Sequence, residues 1–121
     1  MGTFPRCVLL TSTGAKSGAQ RATPLIYFTD GDRVILVASN YGGTRHPAWY
    51  HNVKANPQVT LLAGGVEGRF VGEEVTGAER ERLWALAKKW NPGYEQYESS
   101  AKGRHIPLLA FTAAGHRPDD G

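Results

Sequence analysis

Thr23-Pro24-Leu25-Ile26-Tyr27-Phe28-Thr29 and Arg33-Val34-Ile35-Leu36-Val37-Ala38-Ser39, joined by Asp30-Gly31-Asp32, set the architecture of this chain. The first run is rich in aromatic and β-branched residues, and Asp-Gly-Asp is a hairpin turn signal. The return run is almost continuously apolar, as expected of a strand covered on both faces. Outward from this hairpin, other short runs read the same way. Val8-Leu9-Leu10-Thr11 precedes it, Val59 to Leu62 and Val66 to Val75 follow around the tight turn Ala63-Gly64-Gly65, and Ile106 to Thr112 comes last. Two helices interrupt the strands. Ala48 to Ala55 follows Pro47, which suits a first helical position, and stops at Asn56-Pro57. Thr76-Gly77-Ala78-Glu79 reads as a capping box in which Glu79 reaches back to the Thr76 N–H. Behind it Leu83, Leu86, Ala87 and Trp90 recur at helical spacing, with Glu79, Arg80, Glu81, Arg82, Lys88 and Lys89 on the other face. The pattern predicts a mainly β domain with inserted helices, about six antiparallel strands closing into a small barrel. No repeat or linker divides the 121 residues, so residues 1–121 read as a single domain.

Composition narrows the function. Fifteen glycines and seven prolines among Val, Leu, Thr and aromatics favour strands and turns over a helical bundle. The one cysteine, Cys7, has no intramolecular partner, fits a reducing compartment and is expected to pack rather than react. The apolar run Val34–Ala38 is too short to span a bilayer, and no charged-then-apolar leader opens the chain. The net charge of +3 is unevenly placed: residues 1–60 carry six cations against two acids, and residues 61–121 eight against nine. Positive potential in the first half favours an anionic ligand. With no basic run and no nucleic-acid motif, nucleic acid is not the expected partner.

Between the first two strands lies Thr13-Gly14-Ala15-Lys16-Ser17-Gly18-Ala19-Gln20-Arg21. Glycines at 14 and 18 let the backbone turn N–H groups toward one point, while Lys16, Arg21 and the hydroxyls of Thr13 and Ser17 add donors. Such a loop suits a phosphate or a chain of carboxylates. It is no nucleotide P-loop, because Lys16-Ser17 sits between the glycines and a strand follows. From the residues alone, an anion site and a solvated hairpin connection both stay open.

Acid–base and metal machinery is not visible. His46 and His51 are five apart, which places them on different sides of a helix, and His105 and His116 have no ligand-spaced partners. No serine or cysteine sits in a nucleophile elbow, and Asp and Glu fall almost entirely in turns or on the polar helix face. Two glycine loops (13–21 and 40–45), a basic half and the aromatics Tyr41, Trp49, Tyr50, Trp90, Tyr94 and Tyr97 suit a flat conjugated cofactor with an anionic tail. The cofactor would then carry the chemistry. The bland alternative is that these aromatics are core, Trp84 and Trp90 first among them.

Several motifs occur in a fixed order: Leu10-Thr11-Ser12-Thr13-Gly14-Ala15-Lys16-Ser17-Gly18, Arg21-Ala22-Thr23-Pro24-Leu25, Val37-Ala38-Ser39-Asn40, His46-Pro47-Ala48-Trp49-Tyr50-His51-Asn52 and Ala55-Asn56-Pro57, with likeness continuing to Ile106-Pro107. Together they closely resemble the actinobacterial deazaflavin (coenzyme F420)-dependent nitroreductase family. The resemblance implies a split β-barrel of the FMN-binding kind, reduced coenzyme F420 as hydride donor, and nitroimidazoles, quinones or activated enones (coumarin-type lactones, aflatoxins) as acceptors. By position, Lys16, Ser17, Gly18, Gln20 and Arg21, with Ala15 in the same segment, match the residues that hold the coenzyme's phosphate and polyglutamate tail. Ala38, Ser39 and Asn40 match the loop along the deazaflavin, and Trp49 the helix residue beside it. Tyr94 and Tyr97 match tyrosines bordering the acceptor pocket, so Ser39, Tyr94 and Tyr97 are the expected catalytic hydroxyls.

Three departures bear on activity. Ile26 replaces a tyrosine and Asn40 a lysine of the nitroreductase, and Ala15 replaces a frequent arginine. The first strand begins almost at residue 1, where relatives carry an N-terminal helix that can cover the site or touch membrane. The implied partner is a small-molecule acceptor, with no integral membrane segment and a homodimer left open. The implied location is cytoplasmic, or peripheral to the inner membrane face if such a helix precedes. An FMN-dependent split-barrel oxidoreductase and a non-catalytic F420 carrier are the competing readings.

Overall fold

The computed structural model describes residues 6–38, 46–94 and 106–114. The order of elements is β1 (Arg6–Thr13), β2 (Gln20–Asp30), β3 (Arg33–Val37), α1 (Ala48–Ala55), β4 (Gln58–Ala63), β5 (Val66–Glu74), α2 (Gly77–Trp90) and β6 (Leu108–Ala113). The six strands form a closed antiparallel barrel in the order β1-β2-β3-β6-β5-β4, the split-barrel architecture that the pattern and the resemblance predict. Closure removes exposed strand edges.

Side-chain alternation divides the core in two. Val8, Leu10, Leu36, Val59, Leu61, Leu109 and Phe111 fill the barrel, and Trp49 and Val53 of α1 join them. The alternate residues of β3 and β6, Ile35, Leu108 and Ala110, face outward and pack under Leu83, Trp84 and Ala87 of α2. This two-sided burial is why Val34–Ala38 reads as a continuous apolar run. Gly72 lets α1 approach: a Cβ there would lie 2.5 Å from a Phe111 ring carbon and 2.9 Å from a Val53 methyl.

Four local expectations are corrected. Thr76 is the N-cap of α2 but makes no side-chain cap bond, and the capping box does not form. The Glu79 carboxylate instead accepts from Arg33 at 3.0 Å, and Arg33 and Arg82 also reach Asp30 at 2.6 and 3.0 Å. The Arg33–Glu79 and Arg82–Asp30 pairs dock α2 on the β2–β3 hairpin, and the Arg33–Asp30 pair closes the hairpin turn itself. The buried face of α2 is Arg80, Leu83, Trp84 and Ala87, whereas Leu86 is 38% exposed. Arg80, expected on the polar face, lies 5.4 Å over the Trp84 ring and donates to the Ile106 carbonyl at 2.7 Å. Its guanidinium is the donor that satisfies a buried backbone oxygen at the start of the β6 segment. Cys7, expected to pack, is exposed, because alternation along β1 turns Val8 and Leu10 inward. Pro47 is the N-cap of α1 rather than its first helical residue.

Candidate functional site

The hairpin between β1 and β2 is shorter than the sequence suggests. Thr13 and Gln20 are already paired, so the loop proper is Gly14–Ala19. Gly14 N–H donates to the Ala19 carbonyl at 2.7 Å and Gly18 N–H to the Gly14 carbonyl at 3.0 Å. Both glycines are needed. A Cβ on Gly14 would meet Ser17 Oγ at 2.8 Å, and Gly18 has φ +72°. The Ser17 hydroxyl accepts from Ala19 N–H at 3.1 Å, which leaves its own proton available to donate.

The expectation that these N–H groups converge on one anion is therefore only partly met. Those of Gly14, Gly18 and Ala19 close the turn itself, and the Ala15 N–H donates to Asn52 Oδ1 on α1 at 3.0 Å. Among the described residues, the Lys16 and Ser17 N–H groups have no such partner, and neither the Lys16 nor the Arg21 side chain forms an ion pair. Both side chains are exposed. Two unpaired cations, Lys16 on the turn and Arg21 at the start of β2, with two free amides and a hydroxyl on the hydrogen-bonded turn, fit a phosphate or carboxylate group.

Helix α1 ties this turn to the rest of the barrel, and sequence reasoning missed how. Asn52 holds Ala15, and Asn56 Nδ2 reaches the Thr13 carbonyl at 3.4 Å. Asn52 lies in the last turns of α1 and Asn56 is its C-cap, so two asparagines four apart at a helix end were the available signal. On its other side the helix is fixed by Glu74 at the end of β5, whose Oε1 accepts from the Tyr50 hydroxyl at 2.7 Å and from Lys54 Nζ at 3.1 Å. Burial first, and then the Glu74 carboxylate, push the Tyr50 phenol up to about 12. The His46 and His51 rings lie 5.9 Å apart, contrary to opposite placement, because His46 precedes the helix and folds back beside Tyr50. Among the described residues no group of three or more His, Cys, Asp and Glu is placed to hold a metal ion.

The remaining sequence-predicted residues are placed as follows. Lys16, Ser17, Gly18, Gln20 and Arg21 lie together on the turn and the start of β2, with Ala15 bonded to α1. Ala38 is fully buried at the end of β3, its N–H donating to the Pro107 carbonyl at 2.9 Å. Trp49 of α1 is 5% exposed, and its ring packs into the inner core of the barrel. Tyr94 is 3% exposed, its ring 6.1 Å from Trp84 in the outer core. Trp84 is core as expected, and Trp90 is half-buried with its ring 5.6 Å from Phe28. Ser39, Asn40, Tyr41, Tyr97, His105 and His116 lie outside the described residues. No helix among the described residues is long and apolar enough to cross a membrane.

Both the sequence and the fold have counterparts among known proteins. An F420H(2)-dependent quinone reductase of Mycobacterium tuberculosis is 38% identical over 111 residues, which cover 89% of this chain and 74% of that protein. The solved structure of an F420-H2 dependent reductase, FDR-A, superposes with a TM-score of 0.79 at 38% identity, covering 91% of this chain and 99% of the other. A structure described as a domain-swapped dimer has the same TM-score, 0.79, at 39% identity, covering 88% and 79%. The sequence profile of the F420H(2)-dependent quinone reductases matches residues 1–112. The chain therefore belongs to the F420H(2)-dependent quinone reductase family, a family of F420-dependent oxidoreductases whose hydride donor is the reduced coenzyme.

Proposed function

We propose that this protein binds reduced coenzyme F420 with its phosphate and tail at the Gly14–Ala19 turn and reduces quinones, with enones of the coumarin or aflatoxin type and nitroimidazoles as further candidate acceptors. The observation that carries this reading is the turn itself: an internally hydrogen-bonded loop, tied to α1 by Asn52, with Lys16 on it and Arg21 beside it at the start of β2, neither in an ion pair among the described residues. When bound, the coenzyme supplies the hydride. Lys16 and Arg21 neutralise the anionic end, Ser17 and the Lys16 amide donate hydrogen bonds, and Gly18, Gln20 and Ala15 shape the contact. Ala38, Ser39, Asn40 and Trp49 border the ring. Fixing donor and acceptor in near-attack geometry can supply roughly 7–11 kcal/mol.

Reduction places negative charge on an acceptor oxygen, and the hydroxyls of Ser39, Tyr94 and Tyr97 are the groups assigned to stabilise it or pass a proton. A positioned acid contributes on the order of 10²–10⁴-fold. If Tyr94→Phe and Tyr97→Phe together leave turnover intact, the proton comes from solvent and the tyrosines act as walls. The overall test is anaerobic oxidation of the reduced coenzyme against a panel of quinone, unsaturated lactone and nitroimidazole acceptors. Acceptor-dependent oxidation with a quinone is expected. Tight coenzyme binding with no turnover on any acceptor would instead identify a carrier, and a yellow protein that ignores F420 would identify an FMN enzyme. A homodimer is the assembly that the domain-swapped relative recommends for test by sedimentation.

A further inference from the structure

Among the described residues Arg80 is the one buried charged side chain, and neither the turn nor α1 uses it. It is 8% exposed, on the face of α2 that also buries Leu83, Trp84 and Ala87. Its Nη2 donates to the Ile106 carbonyl at 2.7 Å, and its guanidinium lies 5.4 Å over the Trp84 ring. The acidic neighbour is Glu81, an exposed side chain reached by Nη1 only at 3.4 Å, and the buried Nε has no hydrogen-bond partner. A cation so placed bears desolvation and gains little from pairing. A methionine would fill similar space without burying charge. What the guanidinium adds is a fixed position for one backbone carbonyl.

That carbonyl belongs to a segment held largely by its oxygens. Strand β6 begins at Leu108, and ahead of it Ile106 and Pro107 are both buried. Pro107 has no N–H to give a sheet ladder. Successive carbonyls accept from three different elements: Ile106 from Arg80 of α2, Pro107 from the Ala38 N–H at the end of β3, and Leu108 from the Val75 N–H after β5. Ala38 opens the 38–40 segment assigned above to the deazaflavin ring. On its other side Arg80 covers Trp84, whose ring lies 6.1 Å from that of Tyr94, assigned above to the acceptor. One guanidinium therefore bears on both walls, through Ile106 and Pro107 on one and through Trp84 on the other.

We propose that Arg80 is a positioning residue for hydride transfer, which fixes the spacing between the Ala38 wall and the Tyr94 wall. The proposal rests on the F420 reading above. Hydride transfer needs donor and acceptor atoms about 3–3.5 Å apart, so a small shift of either wall is felt in the rate. Binding of the coenzyme's anionic end is separate, because the 14–19 turn is tied to α1 and not to α2. Loss of Arg80 therefore slows the chemical step and leaves affinity nearly intact.

The test measures the F420 dissociation constant by fluorescence titration and the anaerobic single-turnover rate of the bound reduced coenzyme with a simple benzoquinone. Arg80→Met is expected to lower the rate roughly ten- to a hundredfold, with the dissociation constant changed by less than about twofold. Arg80→Lys keeps a cation able to reach the Ile106 carbonyl but loses the planar group over Trp84, and its rate is expected to fall between the two. Should Arg80→Met not fold, a slower rate at equal affinity in Arg80→Lys carries the same conclusion. Asp30→Asn separates positioning from the general docking of α2, since it breaks the Arg82 contact and leaves the Ile106 bond in place. Its single-turnover rate is expected to match that of the unaltered protein. Unaltered rates in the Arg80 variants, or equal slowing in Asp30→Asn, overturn the positioning role alone. Failure of the unaltered protein to bind or oxidise the reduced coenzyme overturns the F420 reading and the positioning role with it.

Discussion

Replacing Asn52 by alanine removes one atom group from the candidate site and little else. Asn52 Oδ1 accepts the Ala15 N–H at 3.0 Å, and this is the shorter of the two bonds from α1 to the turn. Alanine keeps the helix, which it favours over asparagine by a few tenths of a kcal/mol, so the backbone carbonyl of residue 52 still accepts from Asn56 N–H. Ala15 is exposed, so its released N–H finds water and no buried donor is orphaned. The loss is then the net value of one hydrogen bond, about 0.5–1.5 kcal/mol. The bond between Asn56 and Thr13, at 3.4 Å, is too long to compensate. Because the tether pre-orders the turn that receives the coenzyme's anionic end, the same energy must be found when the ligand binds. The F420 dissociation constant should rise about two- to twelvefold. Fluorescence titration reads the constant, and thermal unfolding should show a midpoint lowered by a few degrees, since alanine's helix propensity offsets only part of the lost bond. An unaltered dissociation constant, alongside faster amide exchange at Ala15, would refute the argument that the tether serves binding.

Gly72→Ala should destabilise the barrel by about 1–3 kcal/mol, since the added methyl must displace Phe111 or Val53; a lower urea midpoint with an unchanged slope is the expected result. Asp30 is held down to about 2, from an ordinary 3.8, first by its hydrogen bond to Arg82 and then by that to Arg33. A depressed carboxylate contributes stability above its unfolded value and loses it as pH falls from 3.8 toward 2. Because Arg82 is half exposed, we expect about 1–2 kcal/mol, and Asp30→Asn should flatten the acid limb of the stability profile in that window.

Strand positions were legible because they depend on neighbours in sequence. The run Val8–Thr11, the turn at Asp30–Arg33 and the continuous run Val34–Ala38 are local signals of strand and turn, although the first did not reveal that Cys7 faces outward. Long-range partners were not legible. Glu79 has the spacing of a capping residue, but Arg33, distant in sequence, offers a charge-assisted bond that outcompetes a backbone N–H. Arg80 reads as solvated until the Ile106 carbonyl is placed beside it. At the turn, Gly14 and Gly18 announced a tight bend, yet three of its N–H groups are spent within it and a fourth on Asn52, 37 residues on. Tyr50 and Lys54 likewise meet their partner, Glu74, only through the docking of α1. The resemblance identified which turn to examine; the fold showed that α1 supports it.

The central claim is that Lys16 and Arg21, on a turn braced by α1, hold the anionic end of coenzyme F420. Fluorescence titration of Lys16→Ala and Arg21→Ala, paired with single-turnover oxidation of the bound reduced coenzyme, tests it most directly. Each substitution should raise the dissociation constant about fivefold, with a far smaller change in the single-turnover rate. Dissociation constants equal to that of the unaltered protein would contradict the claim and return the turn to an ordinary hairpin connection.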